Sequence, residues 1–158
     1  MPVLQESQRP KYKRKRKKLS WRSKSQNEWL LEDWKEWLWV KFSQYIRLRD
    51  CLKTTGSSDY GLCVTCGRKY PRKNLQAGHF IPGRTDAILF DEDGVHAQCY
   101  RCNCRLQGDW PAYYRFMQKE YSQEKIEQMI DQRNEEVEMT VEWIQEAYDY
   151  YVKRIEEL

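Results

Sequence analysis

Residues 95–103 read VHAQCYRCN, and two of their nine side chains are cysteines in a C-x2-C pair, Cys99 and Cys102. A second pair, Cys63 and Cys66, stands upstream in CVTCG (63–67), with thirty-two residues between the pairs. A tight turn lets both thiolates of a pair reach one ion, and two pairs complete a tetrahedron around zinc. Four thiolate ligands leave no position for a substrate, so the expected Zn²⁺ is structural. It would hold together a segment too short to build its own core. The bland alternative is four buried free thiols. Cys51 reads as structural, and Cys104 as lying on a different helix face from Cys102.

Between the pairs the chain must leave and return. KNLQAGHF (73–80) reads as the outgoing strand and GVHAQC (94–99) as the returning one. Alternation sets Val95 and Ala97 on one face and His96 and Gln98 on the other. CNCRLQ (102–107) then opens a short helix ended by Gly108. Residues 62–108 are therefore expected to form a β-hairpin followed by a helix, crossed by a zinc clamp.

Working outward, SQNEWLLEDWKEWLWVKFSQYIRLRD (25–50) predicts one long amphipathic helix over 25–52. Ser25 and Glu28 have capping-box spacing. Leu30, Trp34, Trp37, Leu38, Tyr45 and Leu48 recur at helical period. Trp29, Trp39 and Phe42 fall off that stripe, so more than one face should be covered. KTTGSSDYG (53–61) reads as a loop. Residues 109–158 predict an acidic helical segment. Asp109 would cap a helix opening near Pro111, and Ser122 a second ending near Arg133. Thr140 would cap a third, with Met139 and Ile144 as a staple and Ile144, Tyr148, Tyr151 and Ile155 as its apolar stripe.

The overall class is α+β, in a chain of 158 residues with seven Trp and eleven Tyr. Its net charge of +4 hides an asymmetry. Residues 1–24 carry ten Lys/Arg against one Glu, while 108–158 carry six against thirteen acids. KYKRKRKKLS (11–20) cannot bury a core and is expected to be a disordered arm. Its cations Lys11, Lys13, Arg14, Lys15, Arg16, Lys17 and Lys18 suit a polyanion such as DNA, though a solubilising tail or an address signal has the same composition. A mean hydropathy of −0.99 and the lack of any long apolar run exclude a membrane span. MPVLQESQRP has no signal-peptide stretch, which leads to the expectation of a reducing, cytoplasmic location.

The combination C-x2-C, GH, C-x2-C-N resembles the HNH endonucleases of the ββα-metal type. More narrowly, YIRLRD, CVTCG, AGHF and VHAQCYRCN are similar to the phage NinG (Rap) recombination proteins, over about residues 45–130. That resemblance implies a nuclease in a bacterial host cell of a phage or prophage. It would cut phosphodiesters with one Mg²⁺ or Mn²⁺ ion, in branched DNA such as Holliday junctions or D-loops. A twofold junction would favour a homodimer.

By the same resemblance His79 is the general base, and Asn103 binds the catalytic ion. An imidazole suits the first role because it titrates near working pH. An amide oxygen suits the second because it is a hard donor. From the residues alone His79 could also be a core histidine, a zinc ligand or a DNA contact. Two positions depart from the family pattern. Gly78 stands where many HNH enzymes have a metal-binding acid, and Gly94 where many have an asparagine that braces the histidine loop. His96 is either the expected substitute ligand or a simple strand residue, with Asp91 or Asp93 as the competing ligand. Arg84, in IPGRTDA, is expected to hold a phosphate or to be an ordinary surface arginine. The rival to a nuclease is a zinc-stabilised DNA-binding module without catalysis. A zinc scaffold for protein partners, using the acidic helices, is a third reading, and the basic arm argues against it.

Overall fold

A computed structural model describes residues 20–158; the basic run at 11–18 lies outside the described residues. Five α-helices and two antiparallel β-hairpins make up the α+β fold. In chain order the helices are α1 (Leu31–Thr55), α2 (Asp86–Leu89), α3 (Trp110–Glu120), α4 (Gln123–Gln132) and α5 (Val141–Glu156). Strand β1 (Tyr60–Leu62) pairs with β2 (Lys69–Pro71), and β3 (Leu75–His79) with β4 (Val95–Cys99).

The first helix begins later than its expected start at residue 25. Glu28 does accept a hydrogen bond from the Ser25 amide at 3.0 Å, but it closes only a single 3₁₀ turn, Gln26–Glu28. Trp29 then folds back, its indole N–H donating to the Trp21 carbonyl at 3.1 Å. Helix α1 starts where Asp33 takes over the capping. Its carboxylate accepts from the Leu30 amide at 3.1 Å and pairs with Lys24 at 2.8 Å. At the other end α1 runs into the expected loop and stops at Gly56, whose left-handed φ of 69° costs glycine little.

As its off-stripe aromatics suggested, α1 is covered on more than one side. Trp34, Leu38 and Tyr45 share a core with Ile144 and Tyr151 of α5. Trp37 stacks on Tyr148 with ring centroids 3.6 Å apart. Phe42 is fully buried and meets both Phe90 and Tyr151 edge-on. Burial of a side chain of that size stabilises the fold by about 1.5–3 kcal/mol. A second core joins α3 and α4 to the segment after β3, through Phe80, Ile88, Tyr113, Met117, Ile126 and Met129. Ser122 and Thr140 cap α4 and α5 as expected, accepting from the Lys125 and Trp143 amides. Asp109 precedes α3, but at φ 47° its side chain makes no capping bond.

Strand β4 is buried along its whole length. The alternation is as expected, and both faces are covered. Val95 and Ala97 lie on the α1 side, while Tyr113 and Phe116 of α3 close over His96, with ring centroids 6.0 and 4.9 Å away.

A charged network joins α1 to β4. Asp50 continues the helical step of Phe42 and Ile46, so a carboxylate falls on a buried stripe. Its Oδ2 accepts from the Ala97 amide at 2.6 Å and its Oδ1 from Arg49 Nε at 2.8 Å. Arg49 also donates to the carbonyls of Glu92 and Val95, at 2.8 and 2.9 Å. Burial alone would raise the Asp50 carboxyl. Hydrogen bonding to His96 and the charge of Arg49 reverse this and leave it below the ordinary carboxylate value. Asp50→Ala leaves the half-buried Arg49 without its counter-ion and the Ala97 amide without its acceptor, and should lower the unfolding free energy by about 3–5 kcal/mol in urea titration. A loss below about 1 kcal/mol would show that the network does not hold α1 to β4.

Candidate functional site

Hairpin β1–β2 carries the first cysteine pair. Between the strands the chain turns through Gly67, at φ 69°, whose amide donates to the Cys63 carbonyl at 2.8 Å. The Val64 amide donates to the Ala97 carbonyl at 3.0 Å and ties this knuckle to β4. Cys99 is the last residue of β4, and Cys102 lies in a short π-helical turn, Arg101–Arg105. All four sulfurs lie within 4.8 Å of one another, and Cys66 and Cys99 are 4.0 Å apart. Zn–S bonds of about 2.3 Å in a tetrahedron place sulfurs about 3.8 Å apart, so the cluster fits a zinc ion. The other two cysteines lie outside the cluster. Cys51 packs against Gly61, where a Cβ would fall 2.6 Å from its sulfur. Cys104 donates to Gln76 Oε1 at 3.2 Å.

His79 ends β3 and leaves it on the α1 side. Its ring stacks on Trp39, centroids 5.2 Å apart and planes within 13°. Nε2 lies 3.1 Å from the Leu89 carbonyl oxygen. A carbonyl only accepts, so Nε2 carries the proton and Nδ1 is the basic nitrogen. Burial, reinforced by the charge of Arg84 and opposed by the Leu89 carbonyl, lowers the imidazole from 6.5 to about 4. Arg84 adopts φ 51° after Gly83 at φ 119°, and its guanidinium sits 4.3 Å from the centre of the Trp39 ring. Trp39 therefore touches both the imidazole and the arginine. In the sequence it reads only as an aromatic off the main stripe.

Asn103 lies on the other side of β3. Its Nδ2 donates to Gln76 Oε1 at 2.8 Å, and its Oδ1 comes within 3.0 Å of the place a Cβ on Gly78 would take. Successive strand residues face opposite ways, so Gln76 and Gly78 share a face that His79 does not. The two motif residues thus flank β3 rather than meet in one pocket. Gly78 itself has a packing reason: the amide of Gln98 fills the space a side chain would need. Gln98 donates to the Gly108 carbonyl at 2.9 Å, and its Oε1 is buried without a partner. Tyr113 closes the same side by donating to the Gly78 carbonyl at 2.8 Å.

The expectation that His96 serves an ion is corrected by its surroundings. It is 3% exposed, with Nδ1 3.1 Å from Arg49 and Nε2 3.0 Å from the Asp93 carbonyl, so neither nitrogen is left for a metal. The acidic run next to it is also engaged. Glu92 accepts from the Tyr45 hydroxyl at 3.0 Å, Asp93 pairs with Lys125 at 3.1 Å, and Asp91 accepts the Asp93 amide at 3.0 Å. Asp91 also accounts for Gly94, since a Cβ there would lie 2.6 Å from its Oδ2. Among the described residues, the four cysteines are the one group of three or more His, Cys, Asp or Glu side chains placed to hold an ion.

The family described as Bacteriophage Lambda NinG protein matches residues 3–158. The chain belongs to the NinG family. Membership extends well beyond the 45–130 carried by the motifs, and takes in α5 and most of the basic arm. It ties this NinG chain to phage recombination. Comparison with curated proteins and with solved structures gave no match. Among the described residues, no helix is long and apolar enough to cross a membrane.

Elemental analysis of the purified NinG chain should find one zinc, and Cys99→Ser should lose it together with the folded signal of residues 62–108. Metal-free protein with unchanged near-UV dichroism would contradict the clamp. His79 also predicts a pH dependence of stability. The unfolded imidazole takes up a proton near 6.5 and the folded one near 4, so its contribution is complete above 6.5 and is lost as pH falls toward 4. Urea titrations across that window should show His79→Gln losing less stability than the parent; equal losses would contradict the half-buried neutral imidazole.

Proposed function

We propose that this NinG protein is a DNA endonuclease of phage recombination, built on an HNH (ββα-metal) core and acting on branched DNA such as Holliday junctions or D-loops. The observation that carries the reading is His79. It ends the first strand of a hairpin whose second strand runs into a cysteine-clamped turn, the order the motifs imply. Its proton is held on Nε2 by Leu89, which leaves Nδ1 as the base. In this role Nδ1 takes a proton from water as the water oxygen attacks phosphorus, the P–O bond to the leaving oxygen breaks, and that oxygen takes a proton from solvent. A pKa near 4 keeps the imidazole neutral and ready but makes it a weak base. A phosphodiester docked against Arg84 offsets the arginine's charge, the lesser of the two influences that lower the imidazole, and leaves burial, the larger one, in place.

The Mg²⁺ or Mn²⁺ ion implied by the HNH resemblance does not fit the residues around His79. Asn103 lies across β3, His96 is occupied on both nitrogens, and no carboxylate joins the imidazole in an ion-holding group among the described residues. The separation of His79 from Asn103 favours a second reading, a zinc-stabilised DNA-binding module without catalysis.

Incubation of the full chain with labelled four-way and linear DNA, with Mg²⁺, Mn²⁺ or chelator, separates the two. The endonuclease reading expects junction cleavage that His79→Ala slows by about 10²- to 10⁴-fold with DNA affinity nearly unchanged. Binding without any cleavage supports the second reading, and a His79→Ala variant that cuts at the parent rate removes His79 from the chemistry.

A further inference from the structure

The acidic side chains of the folded region are unevenly spent. Lys24, Lys35, Arg49, Lys53, Lys125 and Lys153 all have carboxylate partners within 4.0 Å. The other described cations have none, and Arg84, Arg47, Arg72, Lys73 and Arg101 are five of them. Unpaired cations scattered over a surface mean little. These five form a line.

The line starts in a groove of about 570 Å³ beside α1, lined by Trp39, Ser43, Arg47 and Arg84 among others. Trp39, Ser43 and Arg47 are spaced by four and so share one face of α1. Trp39 is the residue that stacks on His79, so the groove opens next to the proposed base. Arg47 spends Nε on the Ser43 carbonyl, at 3.0 Å, which leaves its terminal nitrogens for a ligand. Arg72 comes next. After burial, the nearby charge of Arg72 is the main influence that lowers the Arg47 guanidinium. Arg72 and Lys73 line one shallow depression, and Lys73 and Arg101 line the next, which ends at the turn bearing Cys102. Two carboxylates stand along the way, Glu36 in the groove and Asp59 beside Arg72. Glu32 and Asp86, at the far end of the groove, are both engaged by Lys35, at 3.2 and 2.6 Å.

Five cations held near one another without counter-ions repel and cost stability unless an anion of matching extent is their partner. A single phosphate would meet one or two of them. A chain of phosphodiesters meets them all. We infer that the line from Arg84 through Arg47, Arg72 and Lys73 to Arg101 is the seat of a DNA backbone, which it leads from the cysteine-clamped turn to the groove beside His79. The inference rests on the DNA-directed reading above but not on cleavage. It places the substrate contact on α1, on the loop before α2, on the turn that follows β2 and on the cysteine-bearing turn after β4, in addition to the basic arm. Each occupied cation displaces condensed counter-ions, so its removal reduces both affinity and salt sensitivity, whatever the base sequence.

The test uses the full chain and a fluorescent 30-bp duplex, with dissociation constants measured by anisotropy over a range of salt. Arg47→Ala and the double variant Arg72→Ala/Lys73→Ala probe the line. Arg115→Ala/Lys119→Ala, on exposed positions of α3, is the charge-matched control. Zinc content and far-UV dichroism confirm that each variant is folded. The line predicts several-fold weaker binding and a log–log salt slope shallower by about 0.9 for each phosphate no longer neutralised, with the control unchanged. Parental slopes in the line variants, or equal weakening in the control, overturn it. Cleavage of junction DNA measured on the same samples keeps the two readings apart. Binding that follows this pattern without cutting defeats the endonuclease and leaves the line standing. Cutting with unaltered slopes defeats the line alone, and a parent that binds no DNA defeats both.

Discussion

Everything around β3 and β4 depends on four thiols being brought within 4.8 Å of one another by two distant turns. Thiolates at that distance repel, and buried thiols gain little from each other's company, whereas a cation between them would account for the convergence. Such a cation closes a long loop. It joins the β1–β2 knuckle to the end of β4, and through the Val64–Ala97 hydrogen bond it sets the register of the strand that pairs with His79's own. A segment with strands of three to five residues has too little apolar area to do this by packing alone.

The clamp acts at one end of the hairpin, and the Asp50 network acts along it. A carboxylate on the buried stripe of α1 is costly unless every lone pair is used. Here it is satisfied by the Ala97 amide and by Arg49, whose remaining donors reach the backbone at the first residue of β4 and in the turn before it. His96 completes the arrangement as a buried ring between Arg49 and Asp93. Gly78 and Gly94 follow from the same crowding. The Gln98 amide fills the space at Gly78, and the Asp91 carboxylate fills it at Gly94. A larger residue at either site would have to displace a polar group that already has a place in the fold.

Much of this was legible in the sequence because it rests on local rules. Paired C-x2-C spacing identified the cluster, alternation identified the β3–β4 hairpin, and Ser122 and Thr140 marked helix starts that the backbone honours. The N-terminus of α1 misled because Ser25 and Glu28 satisfy capping chemistry over a single turn, and only the tertiary folding back of Trp29 shows that the helix waits for Asp33. The role of His96 misled for a similar reason. Strand alternation gave its face correctly but could not show that Arg49 and Asp93 wait there. A signal was available at Asp50, since a carboxylate in step with Phe42 and Ile46 requires a buried partner. The proximity of Trp39 to His79 had no local signature, because it comes from packing α1 across β3.

The central claim is that the cysteine cluster holds a metal ion that organises the β3–β4 hairpin, and hydrogen exchange with and without chelator tests it most directly. With metal present, the amides of residues 95–99 and of Val64 should exchange slowly. After its removal they should exchange orders of magnitude faster, while the core shared by α1 and α5 keeps more of its protection. Unchanged protection of residues 95–99 in metal-free protein would contradict the account.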